Sequence, residues 1–136
     1  MTMKVRVLFI LCLVLMVEPV LAQEQGGAGE GSMYIPLKPA FVVNYGGVGR
    51  LKYLKAELSV RVQDNDTASA VRHHMPYIRN NLVLLFSRQT DETLDTQAGK
   101  ESLRQEALEE VRSILKAESD ADGVVDLYFE NFIVQK

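Results

Sequence analysis

A regular alternation of apolar and polar residues from Lys52 to Gln63 constrains the fold more than any other feature of the sequence. The apolar side chains point to one side and are Leu54, Ala56, Leu58, Val60 and Val62. The polar side chains point to the other side and are Lys55, Glu57, Ser59, Arg61 and Gln63. A period of two residues predicts a strand that buries one face and exposes the other face to water.

An apolar segment from Tyr34 to Tyr45 is a second candidate strand. Its prolines, Pro36 and Pro39, cannot donate a hydrogen bond to a sheet, so we expect its first half at a sheet edge. Phe41 to Val43 is the part that we expect to pair. The glycine-rich turn from Gly46 to Gly49 then predicts a hairpin with the alternating strand. A phosphate-binding loop is excluded because a strand follows the turn and no Lys-Ser/Thr pair is present.

Two long helices are predicted after the hairpin. Turn and cap residues at 64–67 precede a helix from Ala68 to Ser87, in which Pro76 must break or kink the helix or start a second one. The apolar stripe of this helix contains Val71, Met75, Ile78, Leu82, Leu85 and Phe86. Thr90 and Thr96 are further cap candidates, and Thr96 begins a helix to Ala117. The apolar stripe of the second helix contains Leu103, Ala107, Leu108, Val111, Ile114 and Leu115.

The last candidate strand runs from Val124 to Gln135, and its pattern changes halfway. Leu127 and Phe129 share one parity, whereas Phe132 and Val134 have the other. Either a bulge near Asn131 returns these residues to one face, or the end of the strand is buried on both faces. The order of the elements predicts an α+β fold, in which a small antiparallel-containing sheet carries two long helices on one face.

Composition and charge limit the possible partners. The 136 residues accommodate one domain and a tail. The formal net charge is −3 and no cluster of Lys or Arg offsets it, so we expect no binding to nucleic acid. Cys12 is the only cysteine, which excludes a disulfide framework and a cysteine metal site in the rest of the chain.

The N-terminus has the layout of a secretory signal peptide, which we assign to residues 1–22. Lys4 and Arg6 precede an apolar run from Val7 to Val17, and Val20-Leu21-Ala22 places small residues before a cleavage point. The alternative is a short signal-anchor, although the run spans only about 17 Å against a hydrocarbon core of about 30 Å. Residues 23–33 are rich in glycine and are interpreted as a flexible leader.

No group of residues points to catalysis. His73 and His74 are adjacent and would lie about 100° apart around a helix, so we interpret them as surface residues, with a metal or pH-sensing site as the alternative. The acidic pairs lie at helix ends and hydrated faces, where capping and helix dipoles account for them. We therefore expect no catalytic residue, metal site, cofactor or small-molecule substrate.

A set of short segments in a fixed order resembles the FliL family. The segments are Tyr34 with Pro39 and 41–44, Arg50 with 53–55, then 76–79, 85–88, 99–101 with 103–104, and 125–135. The motif residues that we consider structural or interfacial are Tyr34, Pro39, Phe41, Asn44, Tyr53, Leu54, Gly99, Tyr128, Phe129, Phe132 and Gln135. The aromatic residues of the last strand serve either core packing or an interface, and Tyr128 is the best candidate for an exposed contact if the bulge is present.

The resemblance implies a FliL-like periplasmic domain over residues 34–136, with a core similar to that of stomatin (SPFH) proteins. It also implies association with the flagellar basal body and its stator units, assembly as a homo-oligomeric ring, and a role in swimming and swarming. Typical members carry a true transmembrane helix. For this chain we therefore expect membrane contact only through a retained N-terminal segment or through partners.

Two kinds of binding function are compatible with this sequence. In the first, the protein supports the flagellar motor by binding stator or basal-body components through Arg61, Arg79 and the exposed faces of the strands. In the second, it is a non-flagellar periplasmic interaction module with the same fold. An enzyme or metal protein that uses His73 is a third hypothesis.

Overall fold

The computed structural model of the protein describes residues 31–136. The predicted signal peptide, residues 1–22, and residues 23–30 of the predicted leader lie outside this range. The strands are β1 (Met33–Pro36), β2 (Phe41–Tyr45), β3 (Lys52–Val62) and β4 (Val124–Gln135). The helices are α1 (Asn65–His73), α2 (Met75–Ser87), α3 (Asp91–Asp95) and α4 (Gln97–Ser119).

The sheet is antiparallel throughout and is organised around β3. β1 pairs with the C-terminal half of β3 and β2 with its N-terminal half, so both lie along the same side of β3. β4 pairs with the other side. The predicted edge strand from Tyr34 to Tyr45 is therefore two short strands, separated at Leu37–Ala40. Pro36 is the last residue of β1, and Pro39 lies within the interruption. At these positions neither proline has to donate a backbone hydrogen bond to the sheet. The predicted hairpin is confirmed between β2 and β3.

The helix caps are those expected from the sequence, but the helices are divided differently. Asp64 caps α1 by accepting the backbone N–H of Thr67 at 2.6 Å. α1 ends before His74, and Pro76 lies in the first turn of α2, so the proline begins a second helix. The hydroxyl groups of Thr90 and Thr96 cap α3 and α4. The short α3 was not predicted as a helix.

The apolar stripes of the helices cover one face of the sheet and form a single core with it. Every strand and every helix between residues 31 and 136 contributes at least one buried side chain to this core. This arrangement confirms the predicted α+β class with a small antiparallel sheet. None of the helices in this range combines the length and apolar character needed to cross a bilayer.

β4 contains the bulge that the change in its pattern indicated. Leu58 lies opposite Phe129 and Glu57 lies opposite Asn131, so Glu130 is the additional residue. As a result, Phe129, Phe132 and Val134 all pack against the core. The alternative of a strand end buried on both faces is wrong, because Ile133 is exposed.

Candidate functional site

The side of the sheet opposite the helices, which we call the open face, carries two rows of side chains across three strands. Asn44, Tyr53 and Gln135 are direct cross-strand neighbours and form the first row. Val42, Lys55 and Ile133 form the second row. Direct neighbours of this kind have Cβ atoms about 5 Å apart, so the rows make a continuous surface.

These rows surround a shallow depression of about 410 Å³, lined by Val42, Tyr53, Lys55, Ile133 and Gln135. Val42 is 66% exposed and Ile133 is 42% exposed. Solvent-exposed apolar and aromatic side chains bordered by an amine and an amide have the composition of a protein interface.

A tyrosine pair occupies the other end of the open face. The rings of Tyr34 and Tyr128 lie 5.9 Å apart between centroids, and Tyr34 is 60% exposed. Tyr128 is half-buried and lies on the open face, as expected for a strand with a bulge. Its cross-strand neighbour Ser59 is buried.

The structure divides the predicted motif residues into three groups. Tyr34, Asn44, Tyr53, Tyr128 and Gln135 lie on the open face. Phe41, Leu54, Phe129 and Phe132 pack in or against the core, while Pro39 and Gly99 lie in a loop and a helix. Val42 and Ile133 were not singled out from the sequence. An apolar residue at the hydrated parity of a strand is the signal that could have found them.

Arg79 is partly buried and has a structural role. Its Nη1 donates to the carbonyl oxygens of Leu37 at 2.7 Å and Pro39 at 2.6 Å. Its guanidinium lies 4.1 Å from the ring centroid of Phe41, and burial lowers its pKa. Arg79 therefore fixes the interruption between β1 and β2, and it lies on the helical side, away from the open face.

Gly99 is required by close packing. A Cβ atom at this position of α4 would lie 2.2 Å from the carbonyl oxygen of Thr93 in α3. Real Cβ atoms essentially never approach a backbone oxygen so closely. The contact between two helices thus requires glycine at this position.

One ionic cluster is built around Asp91 and Lys136, which lie 3.7 Å apart. Asp91 accepts from the hydroxyl of Tyr45 at 3.0 Å and from the amine of Lys52, and Lys136 reaches Asp95 at 2.5 Å. The bond from Lys52 lowers the pKa of Asp91, while burial raises the pKa of Tyr45. These contacts connect the β2–β3 hairpin, α3 and the C-terminus.

The ring centroids of His73 and His74 are 4.7 Å apart. His74 lies at the junction between α1 and α2. The Nε2 atom of His74 is 2.6 Å from the hydroxyl of Ser119 at the end of α4. Residues 31–136 contain no group of three or more His, Cys, Asp or Glu side chains placed to hold a metal ion.

Comparison with known proteins identifies the family. A sequence profile described as "Flagellar basal body-associated protein FliL" matches residues 34–135, from β1 to β4. The chain is 33% identical over 95 residues to the flagellar protein FliL of Escherichia coli (strain K12), which covers 70% of this chain and 60% of that protein. It is 29% identical over 105 residues to the flagellar protein FliL of Aquifex aeolicus (strain VF5), which covers 77% of this chain and 62% of that protein. The aligned segment thus spans about three fifths of these relatives. The chain belongs to the FliL family of flagellar basal body-associated proteins.

Proposed function

We propose that this protein supports flagellar motor function, and with it swimming and swarming, by binding other proteins of the basal body without catalysing a reaction. The observation that carries the proposal is the extent of the family match. It runs over residues 34–135, and these residues include nearly the whole of the sheet and all four helices. The folded unit is therefore the family's unit and not a small shared motif.

The open face is the surface that we assign to partner contacts. It presents Val42, Tyr53 and Ile133 to solvent, while the apolar stripes of the helices pack against the other side of the sheet. We propose that stator or basal-body components occupy this face, that copies of the protein assemble into a ring, and that the core is similar to that of stomatin proteins.

We also propose a periplasmic location at the inner membrane, reached through a cleaved signal peptide. N-terminal sequencing of the protein isolated from cells tests this. A mature chain that starts at Gln23 supports export with cleavage. A chain that retains Met1 and fractionates with membranes would instead indicate a signal-anchor.

Complementation of a deletion strain tests the binding function. The wild-type gene is expected to restore swarm diameter and swimming speed in media of increasing viscosity. A Val42→Asp/Ile133→Asp variant is expected to restore them poorly, because two carboxylates in the depression cannot be desolvated by an apolar partner surface.

Leu84→Asp is the matched control, since Leu84 is 56% exposed on α2 and lies on the opposite side of the molecule. Circular dichroism of the purified variants establishes that each remains folded. Full motility of the open-face variant would reject the open face as the binding surface. Unchanged motility of the deletion strain at every viscosity would reject the proposed function itself.

A further inference from the structure

We infer that the groove between α4 and the outer edge of β4 binds an extended, acidic peptide segment of a partner protein as an additional strand. This inference rests on the proposed function, since it assumes that the protein acts by binding other proteins. It concerns a different surface from the open face. The groove, which we call the β4 groove, has a volume of about 250 Å³. Its lining is Gln97, Lys100, Glu101, Arg104, Tyr128, Phe129 and Phe132.

The direction of the backbone groups shows which residues of β4 are available for pairing. The carbonyl oxygen of Leu58 accepts the N–H of Leu37 at 2.9 Å, so the polar backbone groups of Leu58 point away from β4. In an antiparallel pair, its partner Phe129 must then direct its own N–H and C=O to the outer edge. Ala56 and Leu54, which lie opposite Phe132 and Val134, have the same parity as Leu58 along β3. The backbone N–H and C=O groups of Phe132 and Val134 are therefore directed to the outer edge as well.

The two halves of this edge differ in whether their backbone carbonyl oxygens already accept hydrogen bonds. Arg104 donates to the carbonyl oxygen of Leu127 at 3.0 Å. Arg112 donates to those of Val124 at 3.1 Å and Val125 at 3.0 Å. These arginines of α4 occupy the acceptors of the first half of β4 and thereby block strand addition there. Within residues 31–136, no side chain or turn donates to the carbonyl oxygens of Phe129, Phe132 or Val134.

The amine of Lys100 offers a partner to an acidic side chain of an occupant of the β4 groove. The amine of Lys100 lies 5.4 Å from the ring centroid of Phe132 and forms no ion pair within residues 31–136. The neighbouring carboxylates of Glu101 and Asp126 are both bound by Arg104, at 2.6 Å and 2.5 Å. Lys100 is therefore a cation of this groove without an ion-pair partner in residues 31–136, and it lies beside unpaired backbone groups. An extended segment supplies the backbone partners, and an acidic side chain supplies the charge.

The opposite edge of the sheet does not offer an equivalent site. There β1 and β2 are separated by Leu37–Ala40. Pro36 is the last residue of β1, and Pro39 lies within the gap. Proline removes the donors that an added strand requires. Strand addition is thus restricted to the C-terminal half of β4.

A random heptapeptide library displayed on phage, selected on the purified full-length protein, tests the inference. We expect enrichment of sequences that combine β-branched residues with an acidic residue and lack a central proline. For a selected synthetic peptide, Lys100→Glu should raise the Kd measured by calorimetry by at least about tenfold. Ser102→Glu is the control, because Ser102 is exposed on α4 outside the groove, and it should leave the Kd within about twofold.

Hydrogen exchange supplies an independent readout. The bound peptide should slow exchange of the amides of Phe129, Phe132 and Val134. The inference would be overturned if no peptide sequence were enriched, or if the Lys100→Glu variant bound the peptide with the same Kd. It would also be overturned if the peptide slowed amide exchange at β1 and β2 instead of at β4. Concentration-dependent protection of β4 without peptide, together with a doubled mass, would overturn it in favour of a second copy of the chain. Motility complementation is measured separately. If the wild-type gene restores swarming but the protein binds no peptide, this inference is rejected and the proposed function is not.

Discussion

Gly99 shows how a single missing side chain sets the distance between two helices. It lies in the first turn of α4, directly after the Thr96 cap, where the backbone of α4 approaches that of Thr93 in α3. The carbonyl of Thr93 belongs to a turn held at both ends by threonine caps, so it has little freedom to move aside. The packing of α3 against α4 therefore depends on glycine at this position.

Replacement of Gly99 by alanine is expected to lower the free energy of unfolding by about 1–3 kcal/mol, the usual cost of overpacking. The sign is diagnostic, because alanine for glycine within an unobstructed helix stabilises by about 1 kcal/mol. Urea denaturation of the two proteins measures the difference. Ser102→Ala, at an exposed position of the same helix, should be neutral or slightly stabilising. A stabilised Gly99→Ala protein would contradict the close contact.

Arg79 provides a second prediction at the level of one residue. Arg79→Lys keeps the charge but loses the planar group that reaches two carbonyl oxygens and lies on the ring of Phe41. We expect the free energy of unfolding to fall by about 1–2 kcal/mol, since hydrogen bonds from a charged donor are lost. Arg72→Lys is the matched control, because Arg72 is exposed on α1. Equal stability of the two variants in urea titrations would argue against the role of Arg79 as a clamp.

At the level of elements, α4 is held to β4 by arginines. Arg104 binds Glu101 within its own helix and both Asp126 and the carbonyl of Leu127 in β4. The pKa of Glu101 is lowered to about 2, mainly by hydrogen bonding from Arg104 and next by the hydrogen bond from Gln105. The strand edge and the helix are thus connected by a network whose charge state changes only in acid.

This network predicts a specific pH dependence. The folded pKa of Glu101, about 2, lies below its ordinary value of 4.5, so its contribution to stability is complete above pH 4.5 and is lost as the pH falls towards 2. Glu101→Gln should therefore be less stable than the wild type at pH 7, and the difference should shrink at pH 3. Urea denaturation at pH 7, 4.5 and 3 measures it. Glu110→Gln, in the same helix and outside the network of Arg104, is the matched control for the change of side chain.

The elements that could be predicted from the sequence are those whose cause is local. The alternation from Lys52 to Gln63 indicates β3, and the hydroxyl group of Thr96 marks the start of α4. The interruption at Leu37–Ala40 could not be predicted, because it is held by Arg79 from about forty residues further along the chain. The depression on the open face was missed for a similar reason. Val42 and Ile133 become neighbours only through their separate pairing with Lys55.

For the whole molecule, the decisive property is that one core unites all the elements. The buried residues run from Ile35 to Leu127 and include Leu94 of the five-residue α3. A helix of this length has no stability of its own, so its structure depends on burial of Leu94 in the common core. The family match over residues 34–135 covers the same extent.

We therefore expect residues 31–136, expressed alone, to unfold in a single cooperative transition. Far-UV circular dichroism, which reports the helices, and fluorescence of the five tyrosines, in a chain without tryptophan, should give the same urea midpoint. Leu94→Ala should lower the free energy of unfolding by about 2–5 kcal/mol, and it should shift both signals together because α3 cannot unfold by itself without exposing the core. Two separate midpoints, or a loss confined to the tyrosine signal near α3, would show that α3 and the β2–β3 hairpin form a unit distinct from the remaining sheet.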